Sequence, residues 1–267
     1  MLYDRDYRIL NAKEELQLQR AHQYLASKKN GFTVAQLFRY HKMMPEAGYH
    51  FESIFPNNYL NIDELDNHDR LDIACTSFLS LIEQQATERE IINLINKNKY
   101  YFIIGSILKS SYSFGYHCAY AIKEFALPPN FIADYLLIDK SSSGHQLVFV
   151  ELESPNGTIV NADGTFGNSI RKGLKQIEDW DEWIDGNFSH LRLQFQKYLG
   201  THTPLPDELM TLDKTRIHYT IVAGRRKDFK EKTYRLQRKL KKENDITLLH
   251  YDNLIDTVQL FKRSGNY

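Results

Sequence analysis

A chain of 267 residues that is 42% hydrophobic and 25% charged can bury a sizeable core, in one large domain or two smaller ones, and is too apolar to be dominated by disorder. Its 34 Lys and Arg balance 34 Asp and Glu, so any affinity for nucleic acid has to come from local patches and not from net charge. Two cysteines, Cys75 and Cys118, are too few for a disulfide scaffold, the N-terminus MLYDRDYRIL has early acids and no apolar stretch, and no run approaches the ~18 apolar residues of a membrane span. The expectation is a soluble, cytoplasmic protein with no membrane partner.

Residues 1–80 read as a mainly helical accessory region. Leu18, Ala21, His22 and Leu25 fall at helical spacing, Gly31 interrupts, and Thr33 can cap a second helix bearing Val34, Leu37 and Phe38. Arg39, Tyr40, His41 and Lys42 invite a helix-turn-helix reading, but no base-reading pattern accompanies them and a plain helix pair is the better account. The PNN at 56–58 and the polar NIDELDNHDR mark a boundary, so that residues 81–267 form the second unit.

From Leu71 to Lys97 the pattern is helical again, with Thr87 and Glu90 spaced as a capping box. Glu88 and Glu90 read as first-turn acids favoured by the helix dipole. AYAIKEFAL then reads as a strand ended by Pro128-Pro129, which cannot continue a ladder. FIADYLLIDK, an SSSG turn and HQLVFVELE follow as an antiparallel strand pair.

That pair carries the chemistry. Asp134 lies on its first strand, and its second ends in Glu151-Leu152-Glu153, where alternation turns both glutamates the same way. Three carboxylates on neighbouring strands repel unless a cation sits among them or one takes up a proton. Acids at strand ends are usually solvated, but Leu147, Val148, Phe149 and Val150 lead straight into Glu151, and a carboxylate ending a buried run is costly without partners.

SPNG then breaks the sheet, a Gly- and Asn-rich loop follows, and Asn168–Ile184 reads as a helix with Asn168 as cap and Ile170, Leu174, Ile177, Trp180 and Ile184 as its apolar stripe. RIHYTIVAG is a further strand. Residues 225–242 hold ten Lys and Arg against two acids, a local charge of +8, with Phe229, Leu236 and Leu240 as a narrow apolar seam. Such a basic helical face, here Arg225, Arg226, Lys227, Arg235, Arg238 and Lys239, suits a phosphate backbone, although charge runs are more often merely solvated. ITLLHYDNLIDTVQLF closes as a strand and a helix.

The pieces ATEREIINLINKN, YAIKEFALPPNFIADYLLI, VFVELESP, GNSIRKGLKQIEDWDEWI, IHYTIVAGR and ITLLHYDNLID, in that order, resemble the Shedu-type proteins, whose C-terminal domain belongs to the PD-(D/E)xK nucleases. The resemblance covers most of residues 84–260. It implies an α/β, restriction-endonuclease-like core, a mixed central sheet flanked by helices, and metal-dependent cleavage of DNA, with RNA left open, in prokaryotic defence. It further implies a homo-oligomer. By transfer Asp134, Glu151 and Glu153 hold Mg²⁺ or Mn²⁺, Gln176 orients a water or the scissile phosphate, and Lys172 and Lys175 supply positive charge. The departure is Glu153, which stands where the general motif has lysine. Two other readings stay open: a degenerate nucleic-acid-binding or regulatory module of the same fold, and a structural protein whose carboxylates are only solvated. No GxxxxGK[ST], HExxH or GxSxG occurs, and the histidines are dispersed, which sets aside ATP-driven chemistry, zinc and serine hydrolysis.

Overall fold

The computed structural model describes residues 1–28, 31–112, 114 and 118–267. Helix α1 (Ala12–Ala26) opens on a capping box of Asn11 with Glu14, and α2 (Val34–Met43) on one of Thr33 with Gln36, so each start follows from side chains that satisfy the first unpaired amides. The apolar residues expected to face the core from α2 do not: Val34 is 75% and Phe38 66% exposed, and the helix packs near α1 through Tyr40 and Met43 instead. Pro45 precedes α3 (Glu46–Glu52). The stretch that follows, including PNN, lies along the first strand, where Leu60 N–H donates to the Ala119 carbonyl (2.8 Å) and Tyr59 bridges Tyr120.

The long helical pattern after His68 is two helices. α4 (His68–Glu83) ends near Gln85, which takes a left-handed φ of 58°, and the Thr87–Glu90 capping box starts α5 (Glu88–Asn98). α6 (Tyr101–Ser111), for which the sequence reading made no assignment, is buried from Tyr101 to Leu108 on all sides. It has no polar face, so the period that marks a surface helix is missing.

Strands β1 (Cys118–Leu127), β2 (Phe131–Ser141) and β3 (Gly144–Leu152) pair antiparallel, while β4 (Ile217–Val222) and β5 (Ile246–Leu249) add in parallel, giving a five-stranded mixed sheet in the order β1-β2-β3-β4-β5. β3 is buried along nearly its whole length, as a central strand covered on both faces should be.

Between β3 and β4 runs α7 (Asn168–Gln196), which extends well past the expected Ile184 and bends at Asn187. Its cap is Gly167 and not Asn168, and no side chain caps it. A Cβ on Gly167 would stand 1.7 Å from the Thr158 carbonyl oxygen, so the return of the 154–167 loop demands glycine there. The basic run divides: a short 3₁₀ turn covers Arg226–Asp228, and α8 (Glu231–Asn244) begins only afterwards. α9 (Tyr251–Ser264) closes the chain.

One core fills the space between one sheet face and α4, α5, α6 and α9, and a second lies between the other face and α7, joined by Leu240 of α8. The outcome is a mixed α/β architecture with a mainly helical N-terminal part. Among the described residues no helix is long and apolar enough to cross a membrane.

Candidate active site

The acids of the strand pair meet where the β2–β3 ladder runs out. Its last pair at that end is Tyr135 with Val150, and Asp134 and Glu151 are the next residue on each strand. On the other side of β2 the ladder pairs Lys123 with Tyr135 and Phe125 with Ala133 and skips the position between, where Glu124 holds φ at 47°. The register is the same on both sides of this gap, so no residue is inserted; the left-handed backbone at Glu124 breaks the ladder locally and leaves Asp134 without a regular partner on β1. Asp134 uses that freedom: its Oδ2 accepts from Leu152 N–H at 2.7 Å, between the two glutamates in sequence.

Glu151 is 2% exposed and its Oε2 has no hydrogen-bond partner among the described residues. Glu153 is equally buried beneath α7, where its Cγ would lie 3.3 Å from a Cβ on Gly173. Its backbone is held twice, by its N–H to the Val222 carbonyl (2.8 Å) and by the Tyr251 hydroxyl, which donates to its carbonyl (2.7 Å).

Two charged residues and an amide complete the group. Lys172 reaches over from α7 with Nζ 3.2 Å from Glu153 Oε1, a pairing by charge without hydrogen-bond alignment, and 3.9 Å from Glu88 Oε2. Glu88 is therefore more than the first-turn acid the sequence indicated: from the start of α5 it joins the same electrostatic cluster, whereas Glu90 is spent on the capping box. Gln176, four residues beyond Lys172 on α7, keeps its Oε1 buried with no partner among the described residues. Lys175 turns away, 2.9 Å from Asp179 and 3.8 Å from Glu178, and takes no part.

Crowded acids in a dry place resist ionisation. Burial first, then Asp134, Glu153 and Glu88, pushes Glu151 up to about 9 against the pull of Lys172. Burial also raises Asp134, to about 7, although the Leu152 amide and Lys172 favour its charged form. Glu153 rises less, because Lys172 offsets its burial. Burial alone would lower Lys172, but Glu153 and Glu88 keep its ammonium protonated above the usual lysine range.

The donors are all oxygen, which suits Mg²⁺ or Mn²⁺ and not a thiolate- or imidazole-seeking metal. No three His, Cys, Asp or Glu side chains among the described residues form a ready-made cage. Mg²⁺ does not need one, since it is commonly held by one or two carboxylates together with waters and substrate phosphate. The unpartnered Glu151 oxygen and the raised carboxyls fit a cation in this place.

The basic stretch is only partly available for a ligand. Arg225 is half-buried and grips Asp252 through two hydrogen bonds (3.0 and 2.8 Å), and Arg226 pairs with Asp256 while its N–H donates to Asp252 (2.7 Å). Both arginines thus tie the β4 end to α9. Burial would raise the Asp252 carboxyl, but the two arginines outweigh it and hold it at about 2. Replacing Asp252 with Asn should lower stability by about 1–3 kcal/mol, through loss of a charge-assisted pair, as read from urea midpoints at neutral pH. The deficit should vanish as acid protonates Asp252 in the parent chain. Lys227, Arg235, Arg238 and Lys239 are exposed. Lys227, with Lys230 and Lys232, lines a cleft of about 520 Å³ whose other wall is residues 157–162, the loop that leaves Glu153.

Sequence reasoning missed Tyr251, because an aromatic residue opening a helix carries no sign of a hydroxyl aimed at a strand 98 residues away. A sequence profile described as the C-terminal part of the Shedu protein SduA matches residues 85–255, which runs from α5 into the first turn of α9 and includes every residue of the carboxylate group. No curated protein matches the chain. The match extends over more than half of the sequence, and the chain belongs to the Shedu SduA C-terminal family.

Proposed function

We propose that the chain performs the role in anti-phage defence that its family membership suggests as a divalent-metal-dependent nuclease acting on DNA, with a core of the PD-(D/E)xK kind. The order of elements supports that core: helix, three antiparallel strands, the long α7, then a strand parallel to the third. The observation that carries the reading is the convergence of Asp134 and Glu151 at one ladder end, with Lys172 brought in from α7 to the Glu153 carboxylate.

Asp134 and Glu151 would hold Mg²⁺ or Mn²⁺, with Glu153 contributing directly or through water. Such an ion polarises a phosphoryl oxygen and lowers the pKa of a bound water. Lys172 supplies, from a neighbouring helix, the positive charge that Glu153 withholds, and stabilises charge building on the phosphate. Gln176 orients the water or the phosphate with an amide that is otherwise unused. Glu88 tempers Lys172 and belongs to the acid group. Lys227, Arg235, Arg238 and Lys239 carry the phosphate backbone, and the cleft beside the 157–162 loop leads it toward the carboxylates.

The test is conversion of supercoiled plasmid to nicked and linear forms, with EDTA, Mg²⁺ or Mn²⁺, in parallel with Asp134→Asn. Cleavage that needs the metal and drops at least ~100-fold in the variant is expected, the scale of losing one group that stabilises transition-state charge. Retention of full cleavage by well-folded Asp134→Asn would sink the proposal. Retarded DNA mobility with no cleavage in any metal would mark a binding module.

A further inference from the structure

Far from the carboxylates, a cavity of about 350 Å³ lies where the 41–62 segment meets the first strands and the C-terminus, within the size range of small-molecule sites. Its walls are rings: His41, Tyr49, Tyr59 and Tyr267. Two of them are locked together, His41 Nδ1 with the Tyr49 hydroxyl at 2.5 Å and the rings stacked at 5.8 Å.

Two buried polar groups face this apolar setting, and one of them lacks the partner that burial normally requires. Asn61 is fully buried, and its Oδ1 accepts from Asp63 N–H (3.1 Å), which settles the amide's orientation; its Nδ2 has no partner among the described residues. Asp139, on β2, is buried at the cavity wall, with a hydrogen bond from the Lys140 backbone. Burial pushes its carboxyl up to about 7, so it can act as acceptor or as donor and acceptor together.

We infer that this cavity is a binding site for a flat heterocycle of nucleobase size, stacked against Tyr49 and Tyr59 and read on its edge by Asp139 and Asn61. A base edge places acceptors and donors side by side, which an orphaned amide N–H that donates and a carboxyl that accepts read together, and tyrosine faces hold it without regard to sequence. The base arrives either as a free nucleoside or nucleotide, or as an unstacked base of a nucleic-acid strand. The site does not depend on the carboxylate group for its chemistry.

The test is calorimetric titration of the full chain in EDTA with adenosine, guanosine, cytidine and uridine, their 5′-monophosphates and a single-stranded trinucleotide, with ribose as control. At least one base-bearing probe should bind, and Asp139→Ala should weaken it ~10-fold or more, a factor equivalent to about 1.4 kcal/mol. Tyr49→Ala, at the partly exposed wall, provides the same readout if Asp139→Ala does not fold. Glu151→Gln should bind like the parent chain, which separates this site from the nuclease proposal. Binding by the trinucleotide alone identifies a strand base as the ligand, and binding by mononucleosides a free one. If no probe exceeds ribose, or if both cavity variants bind undiminished, the inference is overturned.

Discussion

Glu151→Gln should abolish metal-dependent cleavage, by at least ~100-fold, while making the metal-free protein more stable at neutral and alkaline pH. The two halves have one cause. Glu151 is buried against other acids, and its carboxyl is raised above the ordinary glutamate value of 4.5. The folded state therefore binds a proton that the unfolded state releases as pH rises through the ordinary value. Stability from this group is fully present below about 4.5, falls as pH climbs toward about 9, and is absent above that. Glutamine keeps the volume and polarity without the proton linkage. In EDTA, melting temperatures of the parent should decline from pH 5 to pH 9, and those of Glu151→Gln should decline less. Mn²⁺ should recover the loss in the parent by favouring the ionised carboxylates, and do so weakly in the variant. A parallel decline in both proteins, or equal cleavage by both, would remove Glu151 from the centre of the site.

Trp180→Ala should cost about 3–5 kcal/mol, the usual penalty for emptying a buried aromatic site. Trp180 is 1% exposed, in the core between α7 and the sheet, with its ring centroid 6.4 Å from that of Phe149. Phe149 is two residues from Glu151, and Lys172 and Gln176 stand on the same helix, so this core sets the distance between α7 and the acids. At about 2–4 °C per kcal/mol for a chain somewhat smaller than this one, a drop of roughly 6–20 °C in melting temperature follows. Trp180→Phe should lose less, since it retains most of the ring. Urea denaturation at constant slope is the check, and a loss under about 1 kcal/mol would mean that α7 repacks freely.

Much of the architecture was readable from local pattern. The strand pair follows from two apolar runs joined by a Ser/Gly turn, the cap at Thr33 and the capping box of Thr87 with Glu90 from residue type and spacing, and the apolar stripe of α7 from the three-to-four period of a half-buried helix. α6 escaped because a helix covered on all sides has no stripe. The extra length of α7 past Ile184 escaped although its apolar stripe continues at Leu191 and Phe195, seven and eleven residues on; Gly186 and Asn187, where the helix bends, are poor helix formers and interrupt the pattern. Asn168 looked like a cap, but the close passage of the Thr158 carbonyl gave that place to Gly167.

The sequence by itself determined which chemistry was at hand: three acids around one strand pair, a glutamate where the related motif has lysine, and a dense basic run near the end. Only the tertiary structure decided which charges meet. Lys172 reaches Glu153 and Glu88 while Lys175, three residues on, pairs within its own helix; Arg225 is turned inward to Asp252, and Arg226, though exposed, is paired with Asp256. Attraction between charges depends on their separation in space and on how much water lies between them, and neither quantity is written in the order of residues along the chain.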